Sequence, residues 1–299
     1  MSESGPDKSS PAEQTTRTKQ SAASKRSTGR NLPVAIASAV VLYAWIVGSL
    51  LWWDWGFIAF LIVCAVVGSF ELWRAFTGRG LHVVLTPIAA GATLTFVATH
   101  YVAQHHSQFT GAGVLLAGLA LMVLACLIGR LRGPVRGFIN DAAASVFTVG
   151  YVPLLLGTLI LLLAQPDGNV RAIYYFILVP CADTGAYAVG SLLGKHKLAP
   201  HISPGKTWEG LAGAVGVTCI VGAVLGPLMI GAHWWAGAII GILLSLAGTV
   251  GDLIESMLKR DAGIKDMGRI IPGHGGAMDR MDSLLGAAPI AWLAMLLLV

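Results

Sequence analysis

From Leu32 onward the chain is a near-continuous succession of apolar runs. A helix needs about 20 predominantly apolar residues to cross a bilayer. Nine runs approach or reach that length, at 33–51, 55–73, 82–102, 110–129, 143–164, 171–192, 208–230, 234–253 and 280–299. They are continuous rather than alternating, which argues against a β-barrel. Charge is too sparse for a water-soluble surface: Asp, Glu, Lys and Arg make up 12% of the 299 residues and apolar types 55%. A soluble domain carries about 25% charged residues. A soluble globular enzyme is thereby excluded. The expected fold class is all-α, a polytopic transmembrane helical bundle of about nine spans in a single domain over residues 32–299.

Residues 1–31 differ in kind, being rich in Ser, Thr, Lys and Arg and poor in large apolar residues. They read as a disordered, basic cytoplasmic tail. A cleaved signal peptide fits poorly, because no small-residue cleavage motif closes the first apolar run. Nine spans put this tail and the even-numbered connections on one side, and 19 of the 20 Lys and Arg residues then fall there, leaving only Arg171 opposite. Positive charge marks the cytoplasmic face, so the N-terminus is expected inside. The same bias accounts for the net charge of +5 without any nucleic-acid partner. Cys64, Cys126, Cys181 and Cys219 each stand alone in apolar surroundings, with no metal or disulfide spacing.

Polar residues concentrate in two cytoplasmic connections, 193–207 and 254–279. Asp252, Ser256 and Lys259 fall on one helical face as the eighth span ends. The ninth opens with Asp279, Arg280 and Asp282, the two acids three residues apart and therefore neighbours. Alone, they read equally well as N-terminal acids paired to Arg280. Taken together, carboxylates from two adjacent helices suit Mg²⁺, which uses one or two protein carboxylates and leaves other positions to water and phosphate. Around them lie Arg260, Lys265 and the turn Pro272-Gly273-His274-Gly275-Gly276. Glycines let backbone N–H groups approach a phosphate, and a helix N-terminus favours anions. Upstream, Asp183 lies about nine residues inside the sixth span, where an ionisable group is expensive and marks function by default. Pro180 just before it frees the Phe176 carbonyl and is expected to kink the helix.

Residues 256–282 run from Ser256 through Lys259-Arg260, Lys265-Asp266 and the Pro272–Gly276 turn to Asp279-Arg280-Met281-Asp282. This closely resembles the signature of the CDP-diacylglycerol synthase family, the phosphatidate cytidylyltransferases. Ala277 departs from the larger aliphatic usual there and removes no ligand. Ala182-Asp183-Thr184 and Ser203-Pro204-Gly205-Lys206-Thr207 look like two upstream motifs of the same family, extending the resemblance over roughly 180–285. It implies transfer of a cytidylyl group from CTP to phosphatidate in the bilayer, giving CDP-diacylglycerol and pyrophosphate for phospholipid synthesis, and it suggests a homodimer.

On that reading Asp252, Asp279, Lys259 and Arg280 are the expected catalytic set, with Asp252 and Asp279 holding Mg²⁺ and room for a second cation nearby. Asp183, Ser203, Lys206, Ser256, Arg260, Lys265, Asp266, His274, Gly275, Gly276 and Asp282 are expected to bind substrate. His274 is expected to orient a phosphate rather than act as a base, since a phosphate monoester is already largely a dianion at neutral pH. The expected location is a bacterial inner (cell) membrane, with the active site facing the cytoplasm. Two other readings remain at this point: CTP-dependent activation of a different lipid phosphate, and a lipid or solute transporter, which would also carry a buried Asp and proline-broken spans.

Overall fold

The computed structural model of the chain describes residues 32–268 and 276–299. The expected tail at 1–31, and His274 and Gly275 in the glycine-rich turn, lie outside the described residues. Tyr43–Val299 form one compact unit, and residues 32–42 belong to a separate one.

The helices are α1 (Leu32–Trp52), α2 (Asp54–Gly78), α3 (Leu85–His105), α4 (Gln108–Arg130), α5 (Phe138–Tyr151), α6 (Pro153–Leu163) and α7 (Gly168–Leu193). A hairpin of β1 (Lys197–Ala199) and β2 (Ser203–Thr207) follows, then α8 (Trp208–Met229), α9 (Trp234–Ala262) and α10 (Met278–Leu298). Among the described residues, seven segments are long and apolar enough to cross a membrane: α2, α4, α5 with α6, α7, α8, α9 and α10. Four threonines and His100 dilute the apolar run of α3.

Three departures from the sequence expectation have local causes. The run 143–164 is two helices, because Pro153 has no N–H to continue the ladder and instead opens α6. The sequence of α6, Pro-Leu-Leu-Leu-Gly-Thr-Leu-Ile-Leu-Leu-Leu, is apolar on every side. Such a helix belongs in the interior, and α6 packs against α2, α3, α4, α5, α7 and α10. The second departure is α9, which runs nine residues past the expected end at 253 and so carries Glu255, Lys259 and Arg260 on a rigid element. It stops at Gly263, whose φ of +70° is the left-handed conformation that glycine supplies at little cost. The third is the hairpin inside the 193–207 connection, antiparallel with Lys197 opposite Thr207 and Ala199 opposite Ser203.

Small residues hold α7 to α10 close together. A Cβ on Gly222 would stand 2.3 Å from the Gly237 carbonyl oxygen, so only bare backbone fits between α8 and α9. Tyr174 bridges the same junction, its hydroxyl donating to the Gly222 and Gly237 carbonyls at 3.2 and 3.3 Å. The Phe176 carbonyl freed by Pro180 accepts from the Tyr43 hydroxyl at 3.3 Å, so the helix passes Pro180 without an orphaned acceptor there. Arg171, the exception in the charge count, is buried. It donates to the Gln165 side chain and to the Met295 carbonyl in the last turn of α10, both at 2.7 Å.

Candidate active site

At one end of the bundle α7, the hairpin, α8, α9 and α10 wall a cavity of about 600 Å³. Asp183 enters it from α7, Asp252 from α9, and Asp279 and Asp282 from α10. Lys206 on β2 and Arg280 on α10 also line it. The approach of α9 to α10 depends on Gly251. A Cβ there would lie 2.4 Å from the Asp282 carbonyl oxygen and 2.9 Å from Gly286 Cα. Backbone meets backbone one residue before Asp252, which is why both acids reach the same space.

Each carboxylate is held by its neighbours. Lys206 Nζ sits 2.6 Å from Asp252 Oδ2, and the Ser256 hydroxyl donates to Asp252 Oδ1 at 3.2 Å. Lys259 lies between the fully buried Glu255, one turn earlier, and Asp279 Oδ1 at 2.8 Å. The other Asp279 oxygen accepts from the backbone N–H groups of Met267 and Gly276, at 3.0 and 2.9 Å. Asp282 Oδ1 accepts from the Ser283 N–H at 2.7 Å, and the Ser283 hydroxyl donates to Asp183 at 3.3 Å. Lysines thus balance acids that would repel one another if crowded alone.

The hairpin reaches the cavity because both its ends are tied. Thr207 caps α8, its hydroxyl accepting from the Gly210 N–H at 3.1 Å. Arg260 on α9 donates to the Ile202 carbonyl in the hairpin turn at 3.2 Å.

Whether this set could hold a divalent ion is a question of unused lone pairs. Among the described residues, no three His, Cys, Asp or Glu side chains converge as a ready cluster. Mg²⁺ does not need one, since it commonly takes one or two protein carboxylates. A carboxylate offers about four lone-pair sites. Asp252 accepts from Lys206 and Ser256, Asp282 from the Ser283 N–H, and Asp279 from Lys259 and two backbone amides, so each retains lone-pair capacity and Asp279 the least. The residues therefore fit a magnesium ion.

The same stretch of chain carries a family relationship. The model of the cytidylyltransferase family matches residues 33–298, spanning every cavity residue named above. The chain belongs to that family. It is similar to the phosphatidate cytidylyltransferase of Mycobacterium leprae, 36% identical with 90% of this chain and 89% of the relative covered. The phosphatidate cytidylyltransferase of Mycobacterium tuberculosis H37Rv is 35% identical, covering 96% and 90%. That of Brucella suis is 32% identical over 78% of this chain and 91% of its own length.

In this cytidylyltransferase-family chain, the residues singled out from sequence separate into groups. Asp183, Lys206, Asp252, Asp279, Arg280 and Asp282 line one cavity. Ser256, Lys259 and Gly276 stand just behind, each bonded to a lining acid. Ser203 pairs within the hairpin and Arg260 clamps its turn. Lys265 and Asp266 are exposed and do not line the cavity. Two acids the sequence reading passed over are placed behind the site. Glu255 holds Lys259, and Glu71, 1% exposed on α2, accepts from the Ala277 and Met278 N–H groups at 3.0 and 2.8 Å. For Glu71 the signal was present, since an acid inside an apolar run is expensive; Glu255 falls past the expected end of its run, in the polar connection, and carried no such signal.

Gly251→Ala is expected to lower both stability, by about 1–3 kcal/mol, and activity, because the added methyl meets backbone that cannot rotate away. Denaturant unfolding in detergent and pyrophosphate release measure the two. Wild-type values for both would show that α9 and α10 do not need this approach.

Proposed function

We propose that the chain transfers a cytidylyl group from CTP to phosphatidate, giving CDP-diacylglycerol and pyrophosphate. One observation carries the reading: a family member's cavity gathers four carboxylates and two cations at the ends of membrane-crossing helices. A phosphatidate oxygen attacks the α-phosphorus of CTP, the α–β bridging bond breaks, and pyrophosphate leaves with that electron pair. Both reactants are anions, so positioning and charge compensation dominate the barrier.

Lys206 and Arg280 offer cations to the phosphates, and Lys259 fixes Asp279. Asp252 and Asp282 are the better-supported holders of Mg²⁺, with Asp279 chiefly an anchor. When bound, the ion supplies charge neutralisation at the phosphates. Phosphatidate keeps its acyl chains in the bilayer while its phosphate meets CTP at the interface.

Nine crossings, with the N-terminus and this cavity on the cytoplasmic side of a bacterial inner membrane, are part of the same reading. The 19-to-1 division of basic residues supports them. The homodimer implied by the resemblance is checked by the mass of the solubilised particle.

The test supplies purified protein with CTP, Mg²⁺ and a panel of lipid acceptors. Pyrophosphate and CDP-diacylglycerol are expected in equal amounts with phosphatidate. Preferential use of a polyprenyl phosphate would overturn the acceptor, and lipid movement in vesicles without CTP turnover would favour a transporter.

A further inference from the structure

A second cavity, of about 640 Å³, opens at the turn between α4 and α5 and shares no lining residue with the first. Its wall includes Arg130, the last residue of α4, and Gly133. The Arg130 side chain is only 7% exposed. Its Nε donates to Asp141 Oδ2 at 2.7 Å and its Nη2 to the Arg136 carbonyl at 3.4 Å. The remaining nitrogen, Nη1, is buried without an acceptor. It lies against Gly133, where a Cβ would be 2.3 Å away. A charged donor therefore sits buried just behind the cavity wall, against Gly133, with no protein acceptor, an arrangement that is costly unless something else supplies one.

Asp141 does not fill that role. Its oxygens accept from Arg130 Nε and from the His82 N–H at 2.8 Å, and the His82 ring lies 3.7 Å from Oδ2. Residues 130–141 carry three arginines against one acid: Arg130 lines the cavity and pairs with Asp141, while Arg132 and Arg136 are exposed on the same turn outside the cavity lining. The apolar residues of the turn point outward: Leu131 is 71% exposed, Val135 93% and Ile139 81%. Arginines beside outward apolar side chains, at the end of a membrane-crossing helix, match an interfacial segment that takes anionic lipid.

We propose that this turn binds the phosphate of an anionic phospholipid, with Arg130, Arg132 and Arg136 around the headgroup and the acyl chains along Leu131, Val135 and Ile139. The occupant is a bound lipid and not the reacting one, so a phosphodiester that cannot accept a cytidylyl group serves as the probe.

Short-chain phosphatidylglycerol is titrated into the purified full chain in zwitterionic detergent without CTP, and the unfolding temperature is followed. A saturable rise is expected, with none from inorganic phosphate or from phosphatidylcholine. Arg130→Gln would break a buried ion pair and risk misfolding, so the exposed Arg132→Gln/Arg136→Gln double variant carries the test. Its half-saturation point is expected to rise about tenfold while basal pyrophosphate release stays at the wild-type rate. Gly133→Ala is expected to weaken the response as well, by crowding Nη1. Lys206→Gln, in the other cavity, should leave it intact. An unchanged half-saturation point in both turn variants would overturn the site. An equal shift from inorganic phosphate would overturn its assignment to lipid, and loss of the response in Lys206→Gln would move the lipid to the first cavity.

Discussion

Asp252→Asn lowers pyrophosphate release by roughly 10²–10³-fold, the range seen when one preorganised electrostatic group is removed from an active site. The side chain is part-exposed to the cavity, and its volume is unchanged by the substitution, so the fold should survive. What changes is charge. Asp252 Oδ2 holds Lys206 Nζ at 2.6 Å and Oδ1 accepts from Ser256 at 3.2 Å. An amide retains one acceptor, loses the ion pair and weakens any divalent ion held there. Lys206 is then released from its position on β2. Lys206→Gln alone should therefore cost less than Asp252→Asn, and the double variant should fall short of the sum, because the two act as one unit. Kinetics on all three variants, with circular dichroism to confirm folding, provide the check. Near-wild-type turnover by Asp252→Asn would remove this carboxylate from the chemistry.

How much of this was legible in the sequence follows from which forces are local. Bilayer thickness acts on every spanning segment independently, so apolar runs located the helices from α1 to α10 closely, the split at Val152-Pro153 and the nine-residue extension of α9 excepted. Helical periodicity likewise put Asp252, Ser256 and Lys259 on one face, and Ser256 indeed bonds Asp252. Close packing was readable too, because a membrane helix rich in glycine has few other uses for it. What could not be read was which face meets which partner across long sequence separations. Arg260 also reaches the hairpin turn 58 residues upstream, a contact that its neighbours in sequence do not announce. The tether between Glu71 and Met278 spans 207 residues, and no local pattern encodes such a distance. Even so, Glu71 is an acid in an apolar run, and such a group must find a partner or a function, as Asp183 must.

Glu71→Gln is expected to destabilise the protein by about 1–3 kcal/mol, the cost of leaving one buried N–H without an acceptor. The first N–H groups of a helix have no partner inside it, and Ala277, which precedes α10, provides no side-chain cap. Glu71 supplies the missing acceptors from another helix, one oxygen to Ala277 and one to Met278. An amide of the same shape can accept at one end only, and its NH₂ would face an N–H at the other. The fit leaves little room for adjustment: a Cβ on Gly268 would lie 2.1 Å from Glu71 Oε1, and one on Gly276 2.8 Å from it. Those two glycines flank the turn that leads into α10, and the Gly276 N–H also donates to Asp279. Glu71 therefore fixes the start of α10, and through it Asp279 and Lys259, without lining the cavity itself. A displacement of about 1 Å at a reacting centre can cost 10²-fold in rate. Glu71→Gln should accordingly lose at least about tenfold in kcat even at temperatures where it is fully folded, and Glu71→Asp, a methylene short, should not restore it. A variant that is less stable but retains wild-type kcat when folded would restrict Glu71 to holding the bundle together.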